Sequence, residues 1–339
     1  MKKREMIYAL VVVFILVVAF VFYYLSFRVK RCSDGTPYDQ CSEVKPYLCL
    51  NGVLTEKASL CSCSELSIRD DEKCFSPYQS NPKDVTLNYI LRGKTGKINF
   101  VVYKNLSDYL SKIPRYVNSN ENPTLLDFKV KMIDEPYQRE LLLPLVLQIE
   151  NITENKEDQA RIAVSIVQNI PFGSSDKKIR IGGTVAEYQR YPYEVLYEME
   201  GICSEKAELL VFLLREMGYQ TAFLYYPYEN HEAVGIKCPE RKSNIGGYCF
   251  IETTAPSIIT DDKTEYFGAE RNINSAPTIM AVSEGLTFGN NLYEYRDARS
   301  LIAIREKANS NVLNLFYQMR FKSLTEKYGL AVYYNSYTF

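Results

Sequence analysis

The first break in the pattern of hydrophobic and polar positions is an uncharged run near the amino end of the chain. Residues 6–27 carry no charged side chain, and basic residues stand on both sides of the run. As a helix at about 1.5 Å per residue, the run is roughly 33 Å long, which suits the hydrocarbon core of a bilayer. Because no small-x-small cleavage site ends it, we expect an uncleaved transmembrane signal-anchor at 6–27 and a cytoplasmic tail at 1–5.

Beyond this run the hydrophobic pattern predicts strands followed by helices. Apolar residues alternate with polar ones over 85–103, which favours two β-strands joined by a glycine turn. A stripe of leucine, isoleucine and valine at helical spacing covers 136–150. Asn155 is placed to cap a further helix that Pro171 ends.

The next part of the chain has the pattern of a buried helix and a sheet. Residues 172–192 show no clear period, so we expect a loop there, and then a short helix near 192–199. The helix that begins at Cys203 is apolar on almost every side, as is typical of a buried helix. Three strands and a mostly helical carboxyl-terminal segment are expected to follow, at 219–226, 232–237, 248–254 and 294–327.

Nine cysteines are distributed as six, two and one. Two of them, Cys238 and Cys249, flank a predicted hairpin and are expected to form a disulfide, while Cys203 is left over. The amino-terminal cluster has no Cys-x-x-Cys pair and lies far from the only histidine, so its spacing is poor for zinc and we expect no metal. Outside the cytoplasm such a cluster is typical of a disulfide module, built here from Cys32, Cys41, Cys49, Cys61, Cys63 and Cys74.

This disulfide module, residues 32–76, is too poor in apolar residues for an independent core, so cross-links have to stabilise it. Its last three cysteines are spaced as in the last half of an EGF-like module, but its first half is spaced differently. Six cysteines allow fifteen pairings, and the sequence leaves the choice open. Residues 77–84 are a predicted linker. Since disulfides persist in oxidising compartments, we expect the body of the protein at a cell surface or in a periplasm or lumen.

The charge balance excludes one class of partner. With 40 basic and 41 acidic residues, the chain has a formal net charge of −1. A nucleic-acid-binding protein needs a basic excess, so we expect no nucleic-acid partner. No cofactor is implied, and the oligomeric state stays open.

Three residues in chain order carry the candidate chemistry. Cys203 opens its predicted helix, where the positive end of the helix dipole and unpaired amide hydrogens favour a thiolate. His231, the only histidine, lies on a following strand and is suited to move protons. Glu252, on the next strand, is placed to orient the imidazole. A lone histidine is more often structural, and these two neighbours are what favour nucleophilic thiol chemistry.

The register of the predicted hairpin limits how these residues meet. One unbroken ladder cannot pair both His231 with Glu252 and Cys238 with Cys249. An intermediate register leaves both pairs diagonal, roughly 7–8 Å apart at the backbone, which suits long side chains better than a disulfide. A β-bulge near Gly246–Gly247 would reconcile the pairs. Strand parity puts the disulfide on the face opposite His231.

Together these motifs resemble the transglutaminase-like superfamily of papain-like-fold cysteine enzymes. The similarity covers about residues 155–260 and rests on Gly201-Ile202-Cys203-Ser204-Glu205-Lys206-Ala207, Asn230-His231-Glu232-Ala233-Val234 and Ile251-Glu252-Thr253-Thr254. It implies an α+β papain-like core in which the Cys203 helix packs on an antiparallel sheet. It also implies that Cys203 is the nucleophile, His231 the base and acid, and Glu252 the orienting acid. The family mostly has Asp in place of Glu252 and often Trp near the thiol, whereas this chain has no Trp.

Three further polar residues lie in or near these motifs. The stretch Val167–Phe172 resembles a helix end that precedes the Cys helix in the superfamily. This resemblance implies Gln168 as an oxyanion donor, and a surface position for Gln168 is an equal alternative. Glu205 and Glu232 are expected in salt bridges or in solvent rather than in catalysis.

The expected organisation is an anchor, the disulfide module, a β/α extension at 85–150, the core at 151–260 and a mostly helical extension at 261–339. The expected function is a membrane-anchored, extracytoplasmic thiol enzyme that cleaves or transfers amide bonds of protein or peptide substrates. The alternative is a noncatalytic surface binding or scaffold protein that keeps the fold. Neither the substrate nor the acceptor, water or an amine, follows from the sequence.

Overall fold

The computed structural model describes most of the chain, namely residues 8, 13–18, 30–115, 122–181, 184–243, 245–264, 273–289, 292–308 and 314–330. Residues 13–18 are helical. Within these ranges no helix is both long enough and apolar enough to cross a membrane. The predicted anchor at 6–27 lies for the most part outside the described residues.

The chain divides into two compact units, one formed by residues 1–64 with 69–74 and the other by 65–68 with 75–339. The smaller unit contains the predicted disulfides, which join the first cysteine to the third, the second to the fourth and the fifth to the sixth: Cys32–Cys49, Cys41–Cys61 and Cys63–Cys74. Its short elements are β1 (Tyr47–Leu50), β2 (Val53–Glu56), α1 (Ala58–Cys61), β3 (Ile68–Asp70) and β4 (Lys73–Phe75).

The larger unit begins with the two strands that the alternation predicts, followed by four helices. The strands pair as an antiparallel ribbon, and their bounds are β5 (Pro82–Leu91) and β6 (Lys94–Tyr103). The helices are α2 (Lys104–Leu110), α3 (Leu125–Ile133), α4 (Pro136–Ile152) and α5 (Lys156–Asn169). Asn155 caps α5, since its side chain accepts from Asp158 N at 3.0 Å. Thr124 and Asp127 form the capping box of α3, a helix that the sequence did not predict.

The prediction of an unstructured loop at 172–192 is wrong. Two short strands, β7 (Lys178–Ile181) and β8 (Thr184–Glu187), pair as a hairpin there, with Ile181 opposite Thr184. The β-branched residues beside the glycine pair favour such local strand pairing. Strands of four residues are too short to show a clear alternation of apolar and polar positions in the sequence. The expected helix follows as α6 (Pro192–Glu198).

A four-stranded antiparallel sheet and one buried helix form the centre of the larger unit. The helix is α7 (Cys203–Glu216), and the strands are β9 (Thr221–Tyr226), β10 (His231–Lys237), β11 (Tyr248–Ile251) and β12 (Thr278–Ala281). Their order across the sheet is β11–β10–β9–β12. Every residue of α7 from Glu205 to Leu214 is buried, and the helix packs on β10 and β9. The fold is thus a mixed helix-and-sheet arrangement with the Cys203 helix on an antiparallel sheet.

The β10–β11 ladder has the intermediate register. Val234 lies opposite Ile251, and Ile236 lies opposite Cys249. Cys238 and Cys249 are therefore diagonal, yet their Cα atoms are only 5.8 Å apart and the disulfide is present. At Gly246 and Gly247, where a bulge would have reconciled the two pairs, the backbone has φ angles of +56° and +80° and forms a tight turn. Two consecutive positive φ angles are what a two-residue hairpin turn requires.

The carboxyl-terminal segment consists of two helices that pack on the chain just after β11. They are α8 (Glu294–Ala308) and α9 (Leu315–Tyr328). Ile258 shares their apolar cluster, whose other buried members are Ala298, Leu301, Ile304, Phe321, Leu324 and Leu330. Arg305 donates to the carbonyl of Lys263 at 2.9 Å and pairs with the buried Asp261. These helices therefore support the backbone that follows Glu252.

Candidate active site

Cys203 is the first residue of α7 and carries the free thiol of the chain. All nine cysteines are described, eight of them are in disulfides, and Cys203 alone is free and partly exposed. The preceding residue, Ile202, is extended, with φ −83° and ψ 174°, and it provides no side-chain cap. The amide hydrogens of the first turn are therefore left without a capping side chain beside the sulfur.

A buried ion pair holds the backbone in front of Cys203. Glu205 Oε2 accepts from Ile202 N and from Arg190 Nη1, each at 3.0 Å. Glu205 Oε1 accepts from Arg190 N at 2.7 Å. The two side chains are only 1% and 2% exposed, and a charge so buried is tolerated only when it is paired. Glu205 thus has the structural, salt-bridged role that the sequence favours.

The segment after α5 runs beside the residues that lead into Cys203. Gly201 N donates to Pro171 O at 3.2 Å, and Gly173 N donates to Gly201 O at 3.3 Å. A Cβ atom at Gly201 would lie 3.1 Å from Lys206 Cγ and 3.2 Å from Val195 Cγ1. Any larger residue at this position would press on both neighbours, so the close approach favours glycine.

His231 lies between the thiol and the carboxylate. It is the first residue of β10 and is 1% exposed. Its Nε2 atom is 2.8 Å from Glu252 Oε2. The side chain of Cys203 is close enough to raise the pKa of the imidazole. Asn230, with φ +49°, turns the chain into β10, and Tyr226 lies opposite His231 in the ladder.

Glu252 is fully buried and has both carboxylate oxygens engaged. Oε2 faces His231, while Oε1 accepts from Thr253 N at 2.9 Å, Thr254 N at 2.8 Å and Thr254 Oγ1 at 2.7 Å. The residue directly follows the last residue of β11, so its side chain folds back onto its own turn. The additional methylene of Glu, compared with Asp, lets one carboxylate reach both the turn and the imidazole.

The electrostatics of the site favour charged forms of both partners. Burial alone would lower the pKa of His231, but the Glu252 carboxylate and hydrogen bonds with Cys203 and Glu252 raise it to about 10. Burial alone would raise the pKa of Glu252, but the His231 charge and the hydrogen bonds from His231 and Thr254 hold it below its usual value. The histidine is therefore an imidazolium at neutral pH.

Gln168 does not have the oxyanion-donor position that the resemblance implies. Its side chain is 5% exposed, and its Nε2 atom donates to Glu252 O at 2.8 Å, Ser257 Oγ at 3.2 Å and Ser257 O at 3.3 Å. Both amide hydrogens are occupied by these acceptors, so none is left for a substrate oxygen. A surface position is equally wrong. Gln168 instead ties α5 to the backbone around the acid.

Glu232 belongs to a buried charge cluster under the sheet. Lys129 Nζ lies 2.8 Å from Glu208 Oε1 and 3.1 Å from Glu232 Oε1. Gln189 donates to the same Glu208 oxygen at 2.6 Å. One lysine thus serves two carboxylates, and burial raises the pKa of Glu208 to about 8. By strand parity, Glu232 faces away from His231, so it has the salt-bridged role that the sequence favours.

Lys206 is a buried residue of this region to which the sequence-based interpretation gave no role. It is 0% exposed, and its Nζ atom donates to Ile170 O at 2.5 Å and to Thr254 O at 3.1 Å. The signal in the sequence is a lysine one turn after Cys203 in a helix that is otherwise mostly apolar. A buried lysine needs partners, but only the fold shows which ones.

The site brings together a thiol, an imidazole and a buried carboxylate, and these are the three groups that nucleophilic thiol chemistry requires. Among the residues that the structure describes, no group of three or more His, Cys, Asp or Glu side chains is placed to hold a metal ion.

Comparison with known proteins leaves the family open. No family model matches the chain, and no curated protein matches it. One solved structure that resembles it is a protein provisionally assigned as a cysteine protease, from Cytophaga hutchinsonii, with TM-score 0.25, 15% identity and coverage of 47% of this chain. The matched region is 50% of that protein, so this chain spans about half of its length.

A second similar structure is calcium-bound LapG of Legionella pneumophila. The TM-score is 0.27 and the identity is 13%, over 52% of this chain and 98% of LapG. Similarities this low carry no argument about the function of this chain.

Proposed function

We propose that this chain is a thiol enzyme that acts on amide bonds of protein or peptide substrates through Cys203, His231 and Glu252. The observation that carries the proposal is the His231 imidazole, which lies 2.8 Å from the Glu252 carboxylate and close enough to the Cys203 side chain for that side chain to raise its pKa. An imidazole that stands between a thiol and a carboxylate can move the protons that nucleophilic thiol chemistry requires.

In the proposed reaction, the Cys203 sulfur attacks the carbonyl carbon of the substrate amide. His231 gives its proton to the leaving nitrogen, the C–N bond breaks, and a thioester remains on Cys203. Water or an amine then attacks the thioester carbonyl, His231 takes the proton of that nucleophile, and the C–S bond breaks. The acyl product leaves with the nucleophile attached, and the Cys203 sulfur is regenerated. Water gives hydrolysis, and an amine gives a new amide bond. Glu252 holds the imidazole in one orientation and stabilises its charge throughout.

The negative charge that develops on the carbonyl oxygen needs a hydrogen-bond donor. We assign this role to the backbone N–H of Cys203, because it stands in the first turn of α7 without a capping side chain. The positive end of the α7 dipole lies at the same place. A preorganised backbone donor of this kind stabilises the transition state more than the ground state.

We also propose that the enzyme works outside the cytoplasm, held at the membrane by residues 6–27. Four disulfides support the location, since such bonds persist in oxidising compartments. The uncharged run supports the anchor. Fractionation of the full-length chain into membrane and soluble fractions, followed by protease protection of the intact cell or vesicle, tests both statements.

The test of the proposed function is the reactivity of the free thiol. Iodoacetamide should alkylate Cys203 at pH 7 at least about tenfold faster than it alkylates glutathione, and His231→Ala should abolish this advantage. Cys203→Ser is the control for labelling at other sites. Equal rates for the wild type, His231→Ala and glutathione would show that the thiol is not activated, as expected of a noncatalytic binding protein.

A second measurement separates the two acceptors. Peptides are incubated with the wild type in the presence and absence of a primary amine, and the masses of the products are measured by mass spectrometry. Cleaved peptides indicate hydrolysis, and peptides that carry the amine indicate transfer. Cys203→Ser should form neither product.

A further inference from the structure

Lys206 is the buried cation nearest in sequence to the proposed nucleophile, and it joins three segments of the site. Its stem lies against Gly201, where an added Cβ atom would be 3.1 Å from Lys206 Cγ. Its Nζ atom donates to Ile170 O at 2.5 Å and to Thr254 O at 3.1 Å. The segments that it joins are the approach to Cys203, the end of α5 and the turn after β11.

The turn after β11 is the structure that binds the Glu252 carboxylate. Thr254 presents its N and Oγ1 atoms to Glu252 Oε1, at 2.8 and 2.7 Å, and its carbonyl to Lys206. The peptide unit that accepts from the lysine therefore belongs to the same residue that donates to the acid. Loss of the lysine removes one donor from the buried Thr254 carbonyl, and this weakens the support of the turn that binds Glu252.

We propose that Lys206 is a positioning residue for the catalytic set, which fixes the Thr253–Thr254 turn and through it the Glu252 carboxylate that orients His231. This inference rests on the proposed function. It adds a fourth residue that touches neither the substrate nor the reacting sulfur and that acts only through Glu252.

The charges of the two groups are coupled as well. Burial lowers the pKa of Lys206 to about 7, and the nearby Glu252 carboxylate opposes that shift. Glu252 is the acidic group whose charge acts on the Lys206 amine. When His231 gives up its proton during the reaction, Glu252 loses its main counter-charge while fully buried. The fraction of Lys206 that is protonated then offsets part of the carboxylate charge.

A purely structural lysine would behave differently from a positioning lysine. Loss of a structural lysine lowers stability and reduces thiol reactivity only through unfolding, whatever residue stands at 252. Loss of a positioning lysine reduces thiol reactivity in the folded protein, and this effect disappears once Glu252 has been disabled. A double-mutant cycle separates these two cases.

The experiment uses the full chain in four forms: wild type, Lys206→Met, Glu252→Gln and the double variant. Iodoacetamide alkylation of Cys203 is followed from pH 5 to pH 9, below the melting temperature of each form. Lys206→Met should slow alkylation at pH 7 about tenfold in the wild-type background. The same change should slow it less than about twofold in the Glu252→Gln background.

Histidine-labelled protein supplies a second readout, because His231 gives the only imidazole signals of the chain. Lys206→Met should lower the pKa of this imidazole, since a displaced carboxylate stabilises its charge less. Lys129→Met is the matched control. It removes another buried lysine that contacts α7 and should lower stability, because Glu208 and Glu232 lose this partner, but it leaves the turn at 253–254 intact. Its alkylation rate should stay within about twofold of the wild type.

The inference is overturned if Lys206→Met alkylates at the wild-type rate, or if its effect is the same in both backgrounds. If the wild-type thiol itself reacts no faster than glutathione, the proposed function fails instead, so the two failures are distinguishable. If Lys206→Met does not fold, Lys206→Gln, which keeps a shorter uncharged donor, is measured in the same cycle with the same two outcomes.

Discussion

The imidazole of His231 meets the carboxylate of Glu252 at 2.8 Å, Nε2 to Oε2, with the two side chains 1% and 0% exposed. The pair spans the end of the β10–β11 ladder, where the last aligned residues are Val234 and Ile251. The two residues are therefore not direct strand partners. The length of the Glu side chain and the turn at Thr253 close the gap, which accounts for an acid that is one methylene longer than Asp.

The first prediction concerns the protonation of His231. Its pKa is raised to about 10 by Glu252 and by the hydrogen bonds that it makes, so it should stay protonated through neutral pH. Histidine-labelled protein should show one set of imidazole shifts that does not titrate between pH 6 and pH 8. Glu252→Gln should bring the transition down towards the ordinary value of 6.5. A wild-type transition near 6.5 would contradict the ion pair.

The second prediction concerns the length of the acid. In Glu252→Asp the carboxylate is too short to reach both the Thr253–Thr254 turn and His231. Alkylation of Cys203 at pH 7 should therefore fall about tenfold, the scale of one weakened charged hydrogen bond. Glu252→Gln, which keeps the length but removes the charge, should fall further. An unchanged alkylation rate in Glu252→Asp would show that the length of the acidic side chain does not affect the reactivity of Cys203.

The third prediction concerns Gln168. Because its amide donates to Glu252 O and to Ser257, Gln168→Leu should leave buried carbonyls unpaired and lower the free energy of unfolding by about 1–3 kcal/mol. Urea denaturation measures this loss. An oxyanion donor would behave in the opposite way, with normal stability and lost turnover.

The fourth prediction concerns stability against pH. The pKa of His231 rises from 6.5 to about 10 on folding, so its contribution to stability is complete below pH 6.5 and is lost as the pH approaches 10. The pKa of Lys206 falls from 10.5 to about 7, so the unfolded state binds the extra proton between these values and stability rises with pH there. The two slopes oppose each other between about pH 7 and 10.

When one of the two groups is removed, the free energy of unfolding should therefore change with pH as the other group dictates. Lys206→Met should lose stability as the pH rises through this range, and His231→Gln should gain it. Each slope should reach at most about 1.4 kcal/mol per pH unit. Urea denaturation at pH 7, 8 and 9 measures both variants against the wild type. Parallel curves for all three proteins would contradict the opposing shifts.

The fifth prediction concerns the Cys238–Cys249 disulfide. Both cysteines pack in the core on the side of α7, whereas Phe250, the neighbour of Cys249, faces the other side with Tyr226. Replacement of both cysteines by alanine should lower the free energy of unfolding by about 2–4 kcal/mol. The alkylation rate of Cys203 in the folded protein should remain within about twofold of the wild type, because the bridge and His231 lie on opposite faces. A large loss of thiol reactivity would show that the hairpin positions the site.

Local chemistry made several parts of the fold predictable. Asn155 was identified as a cap because its side chain needs only the backbone three residues on, and α7 was identified by an apolar run that begins at Cys203. The hairpin at 178–187 and helix α3 were missed. Each is a short element that is stabilised by its own turn or cap. The sequence of such an element is too short to contain a long hydrophobic pattern from which it could be predicted.

The sequence by itself was enough to select the three residues that are proposed for the site. One histidine, one unpaired cysteine and a carboxylate on the next strand leave little choice once helices and strands are assigned. Tertiary structure alone decided how they are held. Gln168 donates to the backbone of Glu252 rather than to a position for a substrate oxygen. Lys206 donates to the carbonyls of both Ile170 and Thr254. The six amino-terminal cysteines form one specific set of disulfides out of fifteen possible sets. These outcomes depend on contacts between residues that are far apart in the chain. Such contacts produce no local sequence pattern, so they cannot be predicted from the sequence.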